Sequence, residues 1–370
     1  MIYIHFPFCS SFCCYCDFFS VTTKGKIMLY KDALLREIDS RKSFFSDPCF
    51  GSAPNTLYIG GGTPSLAPLE FFEQLFSALG GASQFSELTV EVNPDDINRD
   101  YAAGLKGLGV NRISMGVQSF EDSHLKWMNR RHSAAQAREA FEILREAGFE
   151  NISIDLIFGY NPHFGKDSSV DYDSLWRVWQ RDIESALELA PEHISAYQMG
   201  IEDEALLGQK EQQGEYFEPD DEFCARQYRY LQETLSERGY NQYEISNFSL
   251  DGKESVHNSA YWRRVPYLGF GPGAHSFWGE TRRWNKSDLG LYLKGVDYFE
   301  QETLSDEDVL VEKVFLGLRC SQGLLYDGLE LDKDKVAKFI ADGSLVCTGD
   351  RLYLSPEKYF VSDSIIRELI

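Results

Sequence analysis

The sequence predicts an α/β fold, a partial (β/α)6 parallel barrel joined to a small, mainly helical C-terminal domain. Short apolar segments alternate with amphipathic helical stretches at a spacing of roughly 35 residues, which is typical of parallel βαβ units. Several of these segments are apolar almost throughout, as expected for strands that are buried on both faces of a sheet. Six such units, where a closed barrel has eight, indicate a barrel that is open on one side.

Residue composition, together with the proline, glycine and asparagine residues that end strands, predicts the strands and helices in the first two thirds of the chain. The first strand is rich in β-branched and aromatic residues and is closed by Pro7, and the second runs into the glycines that begin at Gly60. The third strand ends at Asn93 and the fifth at Gly159. The predicted strands cover residues 2–6, 56–59, 88–92, 112–117, 152–158 and 193–199. The predicted helices cover 28–45, 68–80, 98–108 and 173–189, with two more between the fourth strand and Gly148.

The pattern changes at Asp203, where an acidic, turn-rich segment to residue 221 is predicted to be a linker or lid. A predicted helix at 221–238 is followed by an aromatic, polar stretch with little helical periodicity. The end of the chain holds predicted helices at 305–318, 332–341 and 362–370 and a hairpin around Gly349 and Asp350, an order similar to a winged-helix module. We therefore expect a core domain at 1–220, a connecting segment at 221–300 and a C-terminal domain at 301–370.

Composition excludes several classes of partner. The 370 residues include 58 acidic and 36 basic side chains, which gives a formal net charge of −22 at pH 7. Nucleic acid binding needs clustered positive charge, and an anionic membrane surface repels an acidic protein, so we expect neither as a partner. No apolar run approaches the roughly 18 residues of a membrane span, so no integral membrane segment is expected, and the oligomeric state stays open.

Four of the eight cysteines lie within eight consecutive residues, and three of them, Cys9, Cys13 and Cys16, have the spacing C-x3-C-x2-C. Three thiolates on a short loop can each hold one iron of a cuboidal iron–sulfur cluster and leave the fourth iron for another ligand. The alternative is a zinc site completed by Cys14 or His5, but structural zinc usually takes two paired knuckles and the sequence has no second C-x2-C pair. No signal peptide precedes the cysteines, so we expect a metal or redox site in a reducing cytoplasm.

Glycines and polar residues follow the predicted strands on their carboxyl side, the face that carries the active site in parallel α/β barrels. Consecutive glycines at 60–62, followed by Thr63 and Pro64, let a ligand approach the backbone, the alternative being a plain strand-to-helix turn. A carboxylate at a strand end can hold ribose hydroxyls or an ammonium group, and an arginine can bind a carboxylate. The alternative is a cap or a surface charge. Four residues have such positions: Glu91, Gln118, Arg130 and Asp155.

Together these segments resemble the radical S-adenosylmethionine (SAM) superfamily. In that superfamily three cysteines of this spacing, with an aromatic residue before the last (here Tyr15), bind a [4Fe-4S] cluster, and SAM chelates the open iron. The run of glycines followed by Thr63 and Pro64 is similar to the segment that contacts the SAM amino group there. The resemblance implies Cys9, Cys13 and Cys16 as cluster ligands. It implies these SAM contacts: Tyr3, Gly61, Gly62, Thr63, Glu91, Gln118, Arg130 and Asp155.

Further segments resemble one branch of the superfamily, the oxygen-independent coproporphyrinogen III oxidase-like proteins, over essentially the whole chain. They are HISAYQ at 193–198, YEISNF at 243–248, HNSAYW at 257–262 and YLGFGPGAHS at 267–276. The true oxidases continue their cysteine motif as C-x3-C-x2-C-x-C and carry an N-terminal arm. Here Phe18 replaces the fourth cysteine and only eight residues precede Cys9. Both departures favour the HemW-type proteins, which are implicated in binding haem and delivering it to haem enzymes.

The resemblance to HemW-type proteins implies a haem chaperone that carries a [4Fe-4S] cluster, SAM and haem, with haemoproteins, respiratory enzymes among them, as acceptors. The HNxxYW string is linked to haem binding in these proteins, so His257 is the predicted haem ligand. The alternative is a histidine that caps or hydrogen-bonds in a loop, and His275 is a second candidate ligand. Two other functions stay open: the oxidase of porphyrin biosynthesis, whose activity we expect this chain to lack, and a zinc-stabilised scaffold without catalysis.

Overall fold

The chain forms fifteen strands and thirteen α-helices in a computed structural model that describes residues 1–165 and 169–370. The strands are β1 (Ile2–Phe6), β2 (Thr56–Gly61), β3 (Glu87–Val92), β4 (Arg112–Gln118), β5 (Ile152–Phe158), β6 (His193–Gln198), β7 (Asn241–Glu244), β8 (Asn247–Ser249), β9 (Leu268–Phe270), β10 (His275–Trp278), β11 (Thr281–Asn285), β12 (Phe299–Thr303), β13 (Leu324–Leu325), β14 (Leu345–Thr348) and β15 (Arg351–Leu354). The helices are α1 (Ile27–Ser40), α2 (Leu69–Ala78), α3 (Arg99–Gly107), α4 (Asp122–Trp127), α5 (Ala134–Glu146), α6 (Tyr172–Leu189), α7 (Leu206–Gln212), α8 (Asp221–Glu237), α9 (Val256–Trp262), α10 (Leu289–Lys294), α11 (Asp306–Gly317), α12 (Lys333–Ala341) and α13 (Ser362–Leu369).

A nine-stranded sheet in the order β7-β8-β6-β5-β4-β3-β2-β1-β9 forms the centre of the fold. β1 to β6 are parallel neighbours in sequence order, and β9 adds a further parallel strand beside β1. β8 and β7 extend the other edge with antiparallel pairing. All six predicted strands are present, so the predicted α/β class with a parallel sheet is confirmed. Parallel order brings the carboxyl ends of six strands to one face of the molecule.

The core lies on both sides of the first strands, where aromatic side chains from the sheet and two helices interlock. Phe6 packs edge-to-face on Tyr30 of α1 and on Phe71 of α2, with ring centroids 5.9 and 5.5 Å apart. All three rings are fully buried. Burying a ring of this kind stabilises the fold by about 1.5–3 kcal/mol relative to leaving it in water. This packing holds β1, and therefore the cysteine loop that follows it, against the rest of the sheet.

Side chains at helix starts account for where two of the connecting helices begin. Ser133 and Gln136 form a reciprocal capping box at the start of α5, and Asp171 accepts a hydrogen bond from the Ser174 amide at the start of α6. Strand β2 extends beyond the predicted end at residue 59, because Gly61 still pairs with Phe6 of β1.

Two segments differ from the predicted pattern. The acidic stretch that begins at Asp203 contains helix α7, whose Leu207 is fully buried. The stretch with little helical periodicity contains helix α9, which the sequence pattern did not predict. At seven residues, α9 is too short to show a clear apolar period, and its buried residues are His257 and Ala260.

The C-terminal part combines α11, α12 and α13 with a small antiparallel sheet in the order β13-β15-β14. The predicted hairpin around Gly349 and Asp350 is confirmed, since β14 pairs with β15 across that turn. Strands from the predicted connecting segment, β7, β8 and β9, belong to the central sheet, and the predicted domain boundaries remain a prediction. Within residues 1–165 and 169–370, no helix is both long enough and apolar enough to cross a membrane.

Candidate functional site

A cavity of about 430 Å³ opens at the carboxyl ends of the parallel strands. It is lined by ten of the twelve site residues that the sequence predicts, drawn from five strand ends and the loops that follow them. They are Cys9, Cys13, Cys16, Gly61, Gly62, Thr63, Glu91, Gln118, Arg130 and Asp155. The strand ends and the loops that follow them therefore bring these ten residues to one cavity. Tyr3 and His257 do not line the cavity.

Backbone hydrogen bonds on three sides hold the cysteine loop in place. The amide of Cys9 donates to the Val21 carbonyl over 3.0 Å, and the amide of Cys14 donates to the Met128 carbonyl over 3.2 Å. The Leu207 amide of helix α7 donates to the Cys14 carbonyl over 2.8 Å. The Cys14 side chain is buried and does not line the cavity wall to which the other three cysteines contribute.

The chemical environment of the cysteine sulfurs suits an iron–sulfur cluster. The cysteines of the loop are free thiols. Arg130 Nη1 donates to Cys13 Sγ and Thr63 Oγ1 donates to Cys9 Sγ, both over 3.5 Å, and hydrogen bonds of this kind stabilise thiolates and tune a cluster. In the described parts of the chain, no group of three His, Cys, Asp or Glu side chains is close enough together to hold a single metal ion. A cluster does not require such a group, because each thiolate binds a different iron atom.

The glycines at 60–62 are required by close packing as well as by the cavity. Gly61 has a φ of 108°, and a Cβ added there would lie 2.7 Å from the His5 ring. A Cβ on Gly62 would lie 2.7 Å from the Phe8 carbonyl oxygen. Side chains at either position would push the second strand away from the cysteine loop. The segment is therefore more than a simple turn, because it lets the backbone reach the cavity surface.

Glu91 presents a carboxyl group to the cavity that two donors hold in position. The Tyr58 hydroxyl donates to Oε1 over 2.7 Å and the Gly61 amide donates to Oε2 over 3.1 Å. Desolvation by burial, only partly offset by those hydrogen bonds, raises the pKa of Glu91 to about 7. The group therefore changes charge near neutral pH, and its ionised form suits a ligand ammonium or ribose hydroxyls.

Hydrogen bonds hold the Arg130 guanidinium in place, but one of its donors has no partner in the described chain. Its Nη2 donates to Asn93 Oδ1 over 2.8 Å and to the Gly116 carbonyl over 2.7 Å. Its Nε is buried and has no partner among the described residues. A buried donor without a partner is costly, so this nitrogen fits the carboxylate of a bound ligand. Gln118, with a φ of 70°, turns the chain at the end of β4 beside this arginine.

Asp155 completes the acidic side of the cavity. The Ser114 hydroxyl donates to its Oδ2 over 3.1 Å and the Ser153 hydroxyl to its Oδ1 over 3.3 Å. Burial raises the pKa of Asp155 as well, and the nearby positive charge of Arg112 works in the opposite direction. The positive charge of Arg112 therefore acts to lower the pKa of both Glu91 and Asp155, against the effect of burial.

Among the residues of this wall that were not predicted from the sequence are Tyr58, Arg112 and Ser114. Arg112 is 1% exposed, and its Nε and Nη1 have no partner in the described chain. Tyr58 and Ser114 could have been found from the sequence, because each is a polar side chain inside a strand that is otherwise mostly apolar. Arg112 opens its strand, a position that ordinarily indicates an exposed charge.

The two remaining predicted residues have hydrogen-bond partners of their own. The Tyr3 hydroxyl bonds His5 Nδ1 over 3.1 Å. His257 is fully buried, with Nδ1 bonded to Thr56 Oγ1 over 2.8 Å and Nε2 to the Tyr261 hydroxyl over 2.9 Å. Desolvation lowers the pKa of His257 to about 3, so its ring is neutral at physiological pH.

Comparison with known proteins agrees with this geometry. Residues 3–165 match the family model described as the radical SAM superfamily. The solved structure of coproporphyrinogen III oxidase (HemN) from Escherichia coli, a radical SAM enzyme, superposes with a TM-score of 0.79 at 22% identity, covering 99% of this chain and 88% of that one. This likeness establishes the fold that the two proteins share.

Curated relatives are more similar in sequence. The chain is 35% identical over 335 residues to the heme chaperone HemW of Lactococcus lactis, covering 89% of this chain and 83% of the relative. It is 36% identical over 332 residues to the heme chaperone HemW of Bacillus subtilis, covering 87% and 84%. With identity at this level over 83% and 84% of the two relatives, and with the cysteine loop and strand-end residues assembled around one cavity, the chain belongs to the HemW family of radical SAM proteins.

Proposed function

We propose that Cys9, Cys13 and Cys16 bind a [4Fe-4S] cluster and that SAM binds beside it in the same cavity. Such a cluster supplies one electron at a time to a ligand held on its open iron. The chain's own contribution is to bind and orient. The Gly61–Gly62 backbone and the Glu91 carboxyl suit the ligand's amino group and ribose, and the free Nε of Arg130 suits its carboxylate. Tyr3 contributes indirectly in this arrangement, by holding His5 against Gly61.

We infer further that the protein binds haem and transfers it to acceptor haemoproteins in the cytoplasm, respiratory enzymes among them. The observation that carries this inference is the sequence identity to relatives named heme chaperones, over 83% and 84% of their length. Phe18 supports it. The position where the oxidases carry a fourth cysteine holds an aromatic ring that is 65% exposed at the cavity mouth. We also propose that the protein does not decarboxylate coproporphyrinogen.

The predicted role of His257 as haem ligand requires a local rearrangement. Both ring nitrogens have partners, so Tyr261 or Thr56 would have to release the imidazole before it could reach iron. Neutrality at physiological pH is compatible with ligation, since iron binds the neutral imidazole. His275, the second candidate, is exposed on β10 and stacks near Trp284, with ring centroids 6.2 Å apart. Ligation by either histidine remains a prediction.

The test is haem titration followed by transfer. Protein reconstituted with iron and sulfide under anaerobic conditions is titrated with ferric haem and then mixed with an apo-haemoprotein. We expect a saturable Soret band and the appearance of the acceptor's own spectrum faster than with free haem of equal concentration. Absence of saturable binding, or transfer no faster than from free haem, would contradict the proposal.

The oxidase is the second candidate, because the solved structure that shares this fold along nearly the whole chain is named a coproporphyrinogen III oxidase. Incubation of the reconstituted protein with coproporphyrinogen III, SAM and dithionite separates the two functions. We expect no decarboxylated product. Multiple turnovers to protoporphyrinogen would establish the oxidase and overturn the assignment as a chaperone without that activity.

A further inference from the structure

Arg112 is a buried cation in the wall of the cluster cavity that has no direct partner. It is 1% exposed, and its Nε and Nη1 have no hydrogen-bond partner among the described residues. It also forms no ion pair within residues 1–165 and 169–370. Burying a charge without a direct partner is costly, so other charges nearby have to stabilise this guanidinium.

A second buried arginine, Arg41, shows how a directly paired cation is held in this chain. Its Nη1 donates to Glu37 Oε1 over 3.0 Å and to the Gly269 carbonyl over 2.7 Å, and its Nη2 donates to Ser276 Oγ over 3.0 Å. One carboxylate balances that charge, and the contacts join the end of α1 to β9 and β10. Arg112 makes no such contacts, so its charge acts at longer range on the groups around it.

Strand register brings Arg112 and two carboxyl groups to the same face of the sheet. Arg112 of β4 lies opposite Thr89 of β3, and Glu91 is two residues further along β3. Asp155 of β5 lies opposite Gly116, four residues beyond Arg112 on β4. Side chains at even spacings share one face of a strand. The arginine therefore lies on the strand between the two acids, and all three side chains line the cavity.

The three charged groups influence one another in opposite senses. Burial raises the pKa of both acids, and the negative charge of Asp155 raises the pKa of Glu91 further. The positive charge of Arg112 opposes these effects on each acid. Two neighbouring carboxyl groups in a buried wall do not readily ionise together, and a cation on the strand between them makes their joint ionisation less costly.

The other titratable groups around this arginine stay neutral at physiological pH. Burial raises the pKa of the tyrosines and lowers the pKa of the histidines. The groups on which its charge acts are Tyr58 of β2, Glu91 of β3, Asp155 of β5, His193 of β6, Tyr243 of β7 and His257 of α9. Tyr3 of β1 and Tyr197 of β6 face the two acids, and burial raises the pKa of these tyrosines as well. The two carboxyl groups are therefore the ones whose ionisation Arg112 can favour.

We propose that Arg112 is a positioning residue of the SAM site: its buried charge keeps Glu91 and Asp155 ionised together, so that both carboxylates are available to the ligand's ammonium and ribose groups. Arg112 itself does not bind the ligand in this role. The proposal rests on the proposed binding of SAM in the cluster cavity and adds the residue that prepares the cavity wall for it. It also accounts for the burial of a guanidinium that has no direct partner.

The test measures how SAM affinity depends on pH when this charge is removed. SAM is titrated into the reconstituted wild type, into Arg112→Gln, and into Arg229→Gln, which removes the same charge from an exposed position on α8 outside the cavity wall. We expect the midpoint of the pH profile to rise by about one pH unit in Arg112→Gln, so that the Kd increases about five-fold at about pH 7 and less than about two-fold at about pH 9. The Arg229→Gln profile should match that of the wild type.

Arg112→Lys separates the charge of the side chain from its shape. Lysine keeps the positive charge but not the planar guanidinium, so the midpoint should stay close to that of the wild type. This variant decides the question by itself if Arg112→Gln does not fold. A raised midpoint in Arg112→Lys, or an affinity reduced by the same factor at every pH in Arg112→Gln, would overturn the proposal in favour of a structural role.

Infrared difference spectroscopy follows the two carboxyl groups without a ligand. The C=O stretch of the protonated acids is recorded against pH in the wild type and in Arg112→Gln, and Glu91→Gln and Asp155→Asn assign the bands. Assignment is needed because burial also raises the pKa of Asp182 and Glu244, outside the cavity wall, to about 7. We expect the assigned bands to persist to higher pH in Arg112→Gln, and identical titrations would overturn the proposal. Failure of the wild type to bind SAM, with the infrared change present, would contradict the proposed function alone.

Discussion

The Tyr58 hydroxyl and Glu91 Oε1 lie 2.7 Å apart, joining strands β2 and β3 at the wall of the cluster cavity. The contact orients the carboxyl group toward the cavity while burial works against its ionisation. Because the Glu91 pKa is raised to about 7, the acid is mostly neutral below that pH and becomes a carboxylate above it. The charge that can attract a ligand ammonium therefore appears within the physiological range.

SAM affinity should increase as pH rises through the pKa of Glu91. If only the ionised form binds well, the apparent Kd falls about eight-fold between about pH 6 and pH 7.5, in proportion to the ionised fraction. Equilibrium binding of SAM to the reconstituted protein measures this. Glu91→Gln keeps an acceptor for Tyr58 but does not titrate, so its affinity should be nearly independent of pH. An unchanged slope in that variant would assign the titration to another group, with Asp155 the nearest candidate.

Iron binding should depend on three cysteines and not on the fourth member of the loop. Single Cys9→Ala, Cys13→Ala or Cys16→Ala variants are expected to lose most of the about four irons per chain that a full cluster contributes. Cys14→Ala is the matched control, because that side chain is buried away from the cavity. Iron and sulfide analysis after anaerobic reconstitution checks the prediction. Iron loss in Cys14→Ala equal to that in the others would contradict it, and zinc without iron in the wild type would favour a zinc scaffold.

Gly61 should not tolerate a side chain. Alanine there would meet the His5 ring at 2.7 Å and adopt a φ that L residues rarely occupy, a strain of about 1–3 kcal/mol before the steric contact is counted. Urea unfolding of Gly61→Ala should show this loss and SAM binding should weaken. Gly25→Ala is the control, since nothing lies within 4 Å of an added Cβ at that position. Equal stability of the two variants would show that β2 can move away from His5 at little cost.

His257→Ala should destabilise the fold whether or not the residue binds haem. The substitution leaves buried hydroxyls of Thr56 and Tyr261 without their partner and opens a cavity, which we expect to cost about 3 kcal/mol. Tyr261→Phe removes only one of the two hydrogen bonds and should cost about 1 kcal/mol. Chemical denaturation measures both. An unchanged free energy of unfolding in His257→Ala, together with a lost Soret shift, would identify the residue as a ligand and not a structural group.

Much of the fold could be predicted because its signals are local. Strand β1 and strand β5 were predicted with the bounds they have, since apolar β-branched runs closed by proline or glycine need no tertiary context. Helix α9 could not be predicted in this way. It is a short helix with a buried histidine, and its stability comes from the contacts of that histidine with β2 and not from its own period.

The sequence by itself determined the parallel α/β class, the cysteine loop and the family, because each depends on residue types at fixed spacings along the chain. It also placed Glu91, Gln118, Arg130 and Asp155 at one face, since parallel strands share their carboxyl ends. Only the tertiary structure decided that Arg112 is buried beside two carboxyl groups and that His257 faces the sheet. Those relationships join segments far apart in the chain, and their energies come from burial and charge proximity that no local pattern specifies.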